Sequence, residues 1–192
     1  MRWISACLIF LFLSSPSWAE PPLTLKELEF KLWLGSKREG PKDTMYVLLG
    51  CCWMLNTPMT DDGPQVIARW IAAHPNAIVT VVDQSQMFAD EKRDGRGIEA
   101  FVWVQDGDEN LGITLIREGI IPSGMMADGV AYLDHIKDLD RNSPTYPKRV
   151  ISDAEYEAFM KRALNAEAVA VKERKGIWSD RYKEEREIWG LE

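Results

Sequence analysis

Asp94-Gly95-Arg96-Gly97 leads directly into Ile98–Val104, whose centre reads Phe101-Val102-Trp103-Val104, and the chain continues through Leu111 to Leu115-Ile116-Arg117-Glu118-Gly119. The first four residues have the glycine content of a loop. The apolar run after them has the length and the β-branched and aromatic content of a buried strand. Asp106-Gly107-Asp108 supplies a tight turn, and Leu111 to Glu118 has helical spacing with Gly119 at the C-cap position. Loop, strand, turn and short helix follow one another within about 25 residues, a frequency of turns expected of a small sheet-based domain.

Two further stretches join this one. Val171-Lys172-Glu173-Arg174-Lys175-Gly176-Ile177-Trp178-Ser179-Asp180 closes a helical segment, and Leu55-Asn56-Thr57-Pro58 lies between an apolar run and an acidic helix start. Together the three stretches resemble the staphylococcal nuclease family over about Phe30 to Asp180, with an apparent expansion between Gly119 and Ser152. The resemblance implies an α+β fold built on a five-stranded Greek-key barrel, the OB-fold. It also implies calcium-dependent hydrolysis of DNA or RNA using acidic ligands, a glutamate and two arginines.

Carried over residue by residue, the family pattern changes at most of these positions. Arg96 fits the second arginine as catalytic or binding residue, and Cys51 falls at the place of the first. Asn56 stands for a metal-binding aspartate and Met59 for the glutamate that activates water. Thr57 is retained as a binding or turn residue. Glu27 and Glu29 are the acids near the expected metal ligands, Asp61 and Asp62 are substitute bases if the loop bends toward the site, and calcium is the cofactor if the protein is active. Three functions follow: a binding or accessory protein without efficient hydrolysis, a secreted metal-dependent nuclease with a rearranged site, or an envelope module that engages a protein or polysaccharide through Pro122 to Arg149.

The rest of the sequence bounds these expectations. At 192 residues and 46% hydrophobic, the chain suits one globular domain. Arg2, the uncharged Trp3–Leu13 and Ser17-Trp18-Ala19 read as a secretory signal over 1–19, leaving a domain over 20–192 in the periplasm or outside the cell. Nothing else is apolar for long enough to span a membrane. The formal charge of −7, or −8 without Arg2, opposes broad nucleic-acid binding and confines any phosphate contact to a local patch such as Lys92-Arg93-Arg96. Lys172-Arg174-Lys175 reads as a solvated helix face.

Cys51-Cys52 puts adjacent thiols on opposite faces of a strand. An adjacent disulfide is strained, so two reduced thiols or an intermolecular bridge are the alternatives. A Cys51 nucleophile would need His74 or His135 brought to it. Trp70, Trp103 and Trp178 sit in apolar patterns that favour core packing over base stacking.

The remaining elements are a first strand over Leu25–Leu34, a turn over Gly35–Asp43 and a central strand over Thr44–Leu55. A helix starting at Asp61-Asp62-Gly63-Pro64 stops near His74-Pro75. A strand follows over Ala77–Val82, and a long helix opens with the capping box Ser152-Asp153-Ala154-Glu155 and runs to about Lys175.

Overall fold

The computed structural model describes residues 23–31, 34–39, 44–51, 59–86, 98–124 and 150–191. It is a mixed α+β molecule with one nearly closed, barrel-shaped sheet and several helices. The strands are β1 (Leu23–Thr24), β2 (Leu28–Lys31), β3 (Leu34–Lys37), β4 (Thr44–Leu48), β5 (Ile78–Gln86), β6 (Ile98–Asp106) and β7 (Glu109–Asn110). Their order is β1-β5-β6-β4-β3-β2, with β7 on β6. β1 and β2 are successive stretches of one segment, so its two ends sit at the two edges of the sheet and nearly close it.

The expected first strand is corrected by this arrangement. A 3-10 turn over Leu25–Glu27 divides it, because Thr24 and Glu27 form a capping box that turns the backbone out of the ladder. The turn expected over Gly35–Asp43 is also corrected, since Leu34–Lys37 is β3, paired with β2 as Phe30 opposite Gly35. Gly35 leaves the space that the Phe30 ring occupies: a Cβ there would lie 2.9 Å from Phe30 Cε1. The glycine read as a breaker is instead a strand residue under an aromatic ring.

β4 and β6 run parallel from Thr44 opposite Ile98 to Leu48 opposite Val102. A parallel pair needs a crossover, here made by the connection carrying α1 (Gly63–Ala73) together with β5. Both strands are rich in buried residues, among them Val47, Leu48, Val102 and Val104. β4 stops at Leu48, so the central strand is shorter than Thr44–Leu55: Leu49–Gly50 turns, with Gly50 at φ 88°. β5 is antiparallel to β6, carries a bulge between Val81 and Asp83, and extends beyond the expected Val82.

Helix α2 (Leu111–Arg117) starts where Asn110 Oδ1 accepts the Ile113 N–H at 3.1 Å. Helix α3 (Asp153–Glu173) starts at the expected box: the Glu155 N–H donates to Ser152 Oγ at 3.2 Å, and the Ser152 N–H to Glu155 Oε2 at 2.9 Å. α3 packs across α2 with Tyr156, Phe159 and Ala163 buried, and Phe159 meets Trp103 of β6 at 5.0 Å between ring centroids. Two 3-10 turns, Gly176–Trp178 and Asp180–Tyr182, lead to α4 (Lys183–Trp189). No helix among the described residues is long and apolar enough to cross a membrane.

Candidate functional site

The sequence-derived acids among the described residues are Glu27, Glu29, Asp61 and Asp62. Arg96, Asn56, Thr57, Cys52 and His135 lie outside the described residues, as does the segment from 125 to 149. Glu27 lies in the 3-10 turn and faces its own cap. Its Oε2 accepts the Thr24 N–H at 2.7 Å and the Thr24 hydroxyl at 2.9 Å. These two donors, the backbone one first, hold its pKa below the usual glutamate value.

Glu29 is exposed on β2 and lines a groove of about 410 Å³ with Phe30 and Arg38. Pro64, Ile67, Ala68 and Ile71 of α1 form the opposite, apolar wall. The buried side of α1 is set by Ile67 and Trp70, while Pro64 and Ala68 stand to the outside and Ile71 is half-buried.

Thr60 and Asp61 are fastened to other parts of the chain. The Thr60 N–H donates to Ile120 O at 3.0 Å, and the Asp61 N–H to Tyr182 Oη at 3.1 Å. The Asp61 carboxylate is ion-paired with Arg181 at the surface. Asp62 is the N-cap residue of α1 by position, but its side chain makes no cap bond and is exposed. Met59 covers Gly63 so closely that a Cβ on Gly63 would meet its Sδ at 2.5 Å. The tie to Tyr182 and Arg181 was not legible from sequence, since it joins positions about 120 residues apart.

Cys51 is not on the central strand. It lies past the turn that ends β4, forms a bridge with Ser123, is 1% exposed, and directs its Sγ to Gly112 O at 3.9 Å. Ser123 is held in turn by Glu167 of α3, to whose two carboxylate oxygens its N–H and hydroxyl donate at 2.8 Å each. The cysteine therefore belongs to the core beneath α2. His74 is engaged elsewhere: it ends α1, stacks on Trp70 at 4.1 Å and pairs through Nδ1 with Asp106 Oδ2 at 3.1 Å. The structure does not show a Cys51–His74 dyad.

Calcium takes about six to eight oxygen ligands with carboxylate charge. Of the acids the resemblance offers, Glu27 is turned to Thr24 and Glu29 faces the groove. Among the described residues no three His, Cys, Asp or Glu side chains are grouped to hold a metal ion.

Lys175 bonds to Glu173 at 3.1 Å and to Glu118 at 3.3 Å, and Arg174 pairs with Asp180 at 3.4 Å. Those two members of the basic cluster are matched by carboxylates.

No protein-family model matches the chain, and no curated protein sequence matches it.

Proposed function

We propose that this chain is an exported barrel of the staphylococcal nuclease type, an OB-fold, that binds a partner in the cell envelope and does not hydrolyse nucleic acid efficiently. The strand order supports the OB reading. With β1 and β2 taken as one bent strand, the barrel runs first-second-third-fifth-fourth and back to the first, with third and fifth parallel and a helix inserted after the third. The residues Ser17-Trp18-Ala19 behind an apolar run support export.

One observation carries the functional half of the reading: among the described candidate positions, the side chains of Met59, Glu27 and Asp61 are engaged within the fold. Phosphodiester hydrolysis needs a proton acceptor within reach of the attacking water. Met59 has no such group and packs on Gly63. Glu27 caps its own turn, and Asp61 is tied to Arg181. Arg96, the one inherited arginine, would then serve to bind an anionic group and not to stabilise a transition state.

The test is incubation of the purified protein with single-stranded DNA and with RNA, in calcium or chelator, beside the Arg96→Ala variant. The expected result is no cleavage above the blank in any arm. Calcium-dependent cleavage that disappears in Arg96→Ala would overturn the reading in favour of an active nuclease with a rearranged site.

A further inference from the structure

We propose that the open edge of β2, together with the groove beside α1, is a docking site for an extended peptide. The inference rests on the reading of the chain as a binding protein and names the chemistry of its partner.

β2 ends the sheet: Leu28–Lys31 pairs with β3 on one side and with no described strand on the other. The Arg38 N–H donates to Glu27 O at 2.8 Å, which makes Glu27 and Arg38 a hydrogen-bonded pair and sets the alternation of the ladder. Glu29 opposite Ser36 is then the next bonded pair, while Leu28 and Phe30 turn their N–H and C=O groups away from β3. Leu28 closes the 3-10 turn by donating to Leu25 O, and it is buried. Phe30 therefore presents the open backbone pair, one donor and one acceptor spaced as a strand requires.

Glu29 and Phe30 of this edge strand also line a built surface. The groove beside Phe30 has a volume of about 410 Å³, and its far wall is Pro64, Ile67, Ala68 and Ile71 of α1. An edge strand on one side and a helix on the other is the geometry in which peptides add to a sheet, the backbone bonds giving affinity and the groove accepting alternate side chains. A free N–H and C=O on a strand edge is complementary to another polypeptide backbone. Glu29 and Arg38 add a charge of each sign, so the occupant that fits carries apolar residues at alternate positions with one basic and one acidic residue flanking them. The four residues of β2 set a docking length of about 13 Å.

The probe is a set of blocked pentapeptides of the pattern Lys-X-Thr-X-Glu and its reverse, with X drawn from Val, Ile, Leu and Phe. They are titrated into isotope-labelled full-length protein while backbone amide signals are followed. At least one peptide is expected to shift Phe30, Ala68 and Ile71 together and to slow hydrogen exchange at Phe30. Methylating the backbone nitrogens of that peptide singly should weaken binding at least tenfold at one position only, that of the N–H bonded to the Phe30 carbonyl. Ala68→Arg, a substitution at an exposed position, should weaken binding at least tenfold while leaving the unfolding midpoint unchanged.

The proposal is overturned if no peptide shifts these signals up to about 1 mM, the weak end of measurable affinity. Indifference of binding to every N-methylation and to Ala68→Arg overturns it as well. Shifts at Phe30 and Ala68 produced by an oligonucleotide and not by the peptides would do the same. Nucleic-acid cleavage in the same preparation would overturn the functional reading by itself, whereas failure of the peptides without cleavage overturns only the docking site.

Discussion

Gly119 and Gly176 meet backbone to backbone. Gly119 caps α2 at φ 66°, Gly176 opens the turn after α3 at φ 50°, and the Ile177 N–H donates to Gly119 O at 2.8 Å. A Cβ on Gly119 would collide with Lys175 O, and a Cβ on Gly176 with Gly119 O. Each glycine is required twice, once by its left-handed conformation and once by the close approach of another backbone. Gly119→Ala and Gly176→Ala should each lower the unfolding free energy by more than about 2 kcal/mol, because backbone cannot retreat as a flexible side chain can. Gly107→Ala, at φ 58° but with open space around it, should cost only about 1 kcal/mol. Urea unfolding midpoints of the three variants check the contrast.

That contact joins two of the three sequence stretches that carried the resemblance, Leu115–Gly119 and Val171–Asp180. The fold was legible where a local rule decided the outcome: Ser152 and Glu155 form the expected cap, and Asp106-Gly107-Asp108 turns the chain after β6, although the short β7 that follows was not expected. It was illegible where a residue's role depends on a distant partner. Gly35 looks like a turn until Phe30 lies over it. The period-two pattern from Leu28 to Leu34 gives no sign that Thr24 and Glu27 divide the segment, although a Thr-x-x-Glu box stood there to be read. Asp61 reads as a substitute base until Arg181 and Tyr182 arrive from the C-terminus, a region whose 3-10 turns and α4 carry no strong periodic signal.

The two capping boxes should add to the loss of stability in acid. Glu155 is held below the usual glutamate value by the Ser152 hydroxyl first and its backbone N–H second, and Glu27 by the Thr24 backbone N–H and then its hydroxyl. Their folded-state values are depressed from 4.5, so their contribution is fully present above about pH 4.5 and is lost as pH falls through the lower folded values. Glu27→Gln and Glu155→Gln should each flatten the fall of the thermal midpoint below pH 4.5 and lower the midpoint at pH 7. Lys175 runs the other way: Glu173 and then Glu118 raise its value above 10.5, so its contribution is present below that pH and lost as pH rises further. Thermal scans of wild type and variants from pH 3 to pH 7 check the acid limb.

Asp61 and Arg181 are mostly exposed, at 74% and 71% of their side chains, so their ion pair is screened by water. A double-mutant cycle of Asp61→Ala and Arg181→Ala should give a coupling below about 1 kcal/mol, shrinking in high salt. Tyr182 is 8% exposed and packs its ring while accepting the Asp61 N–H. Tyr182→Ala should therefore cost more than either charge deletion, by about 2 kcal/mol or more. A coupling well above 1 kcal/mol would mean the C-terminal turn holds the Asp61 loop electrostatically and not by packing.

Restoring the missing arginine should unfold the protein instead of activating it. By the resemblance, Cys51→Arg with Met59→Glu would rebuild a phosphate fork and a base. In the structure, position 51 is 1% exposed, bridged to Ser123 and set against Gly112 O, with Leu49 and Gly112 closing around it. An arginine there would be larger than the space and would bring a charge into a site that is 1% exposed. Burying an uncompensated charge or breaking such a site costs on the order of 3–5 kcal/mol, comparable to the whole stability of many small domains. Cys51→Ser keeps the size and should cost far less, about 1–2 kcal/mol, from the more polar hydroxyl. Circular dichroism and urea titration of the two variants separate the cases. A folded Cys51→Arg, Met59→Glu protein that gained calcium-dependent cleavage would place residue 51 at a catalytic surface and would require a different path for the chain after Leu48.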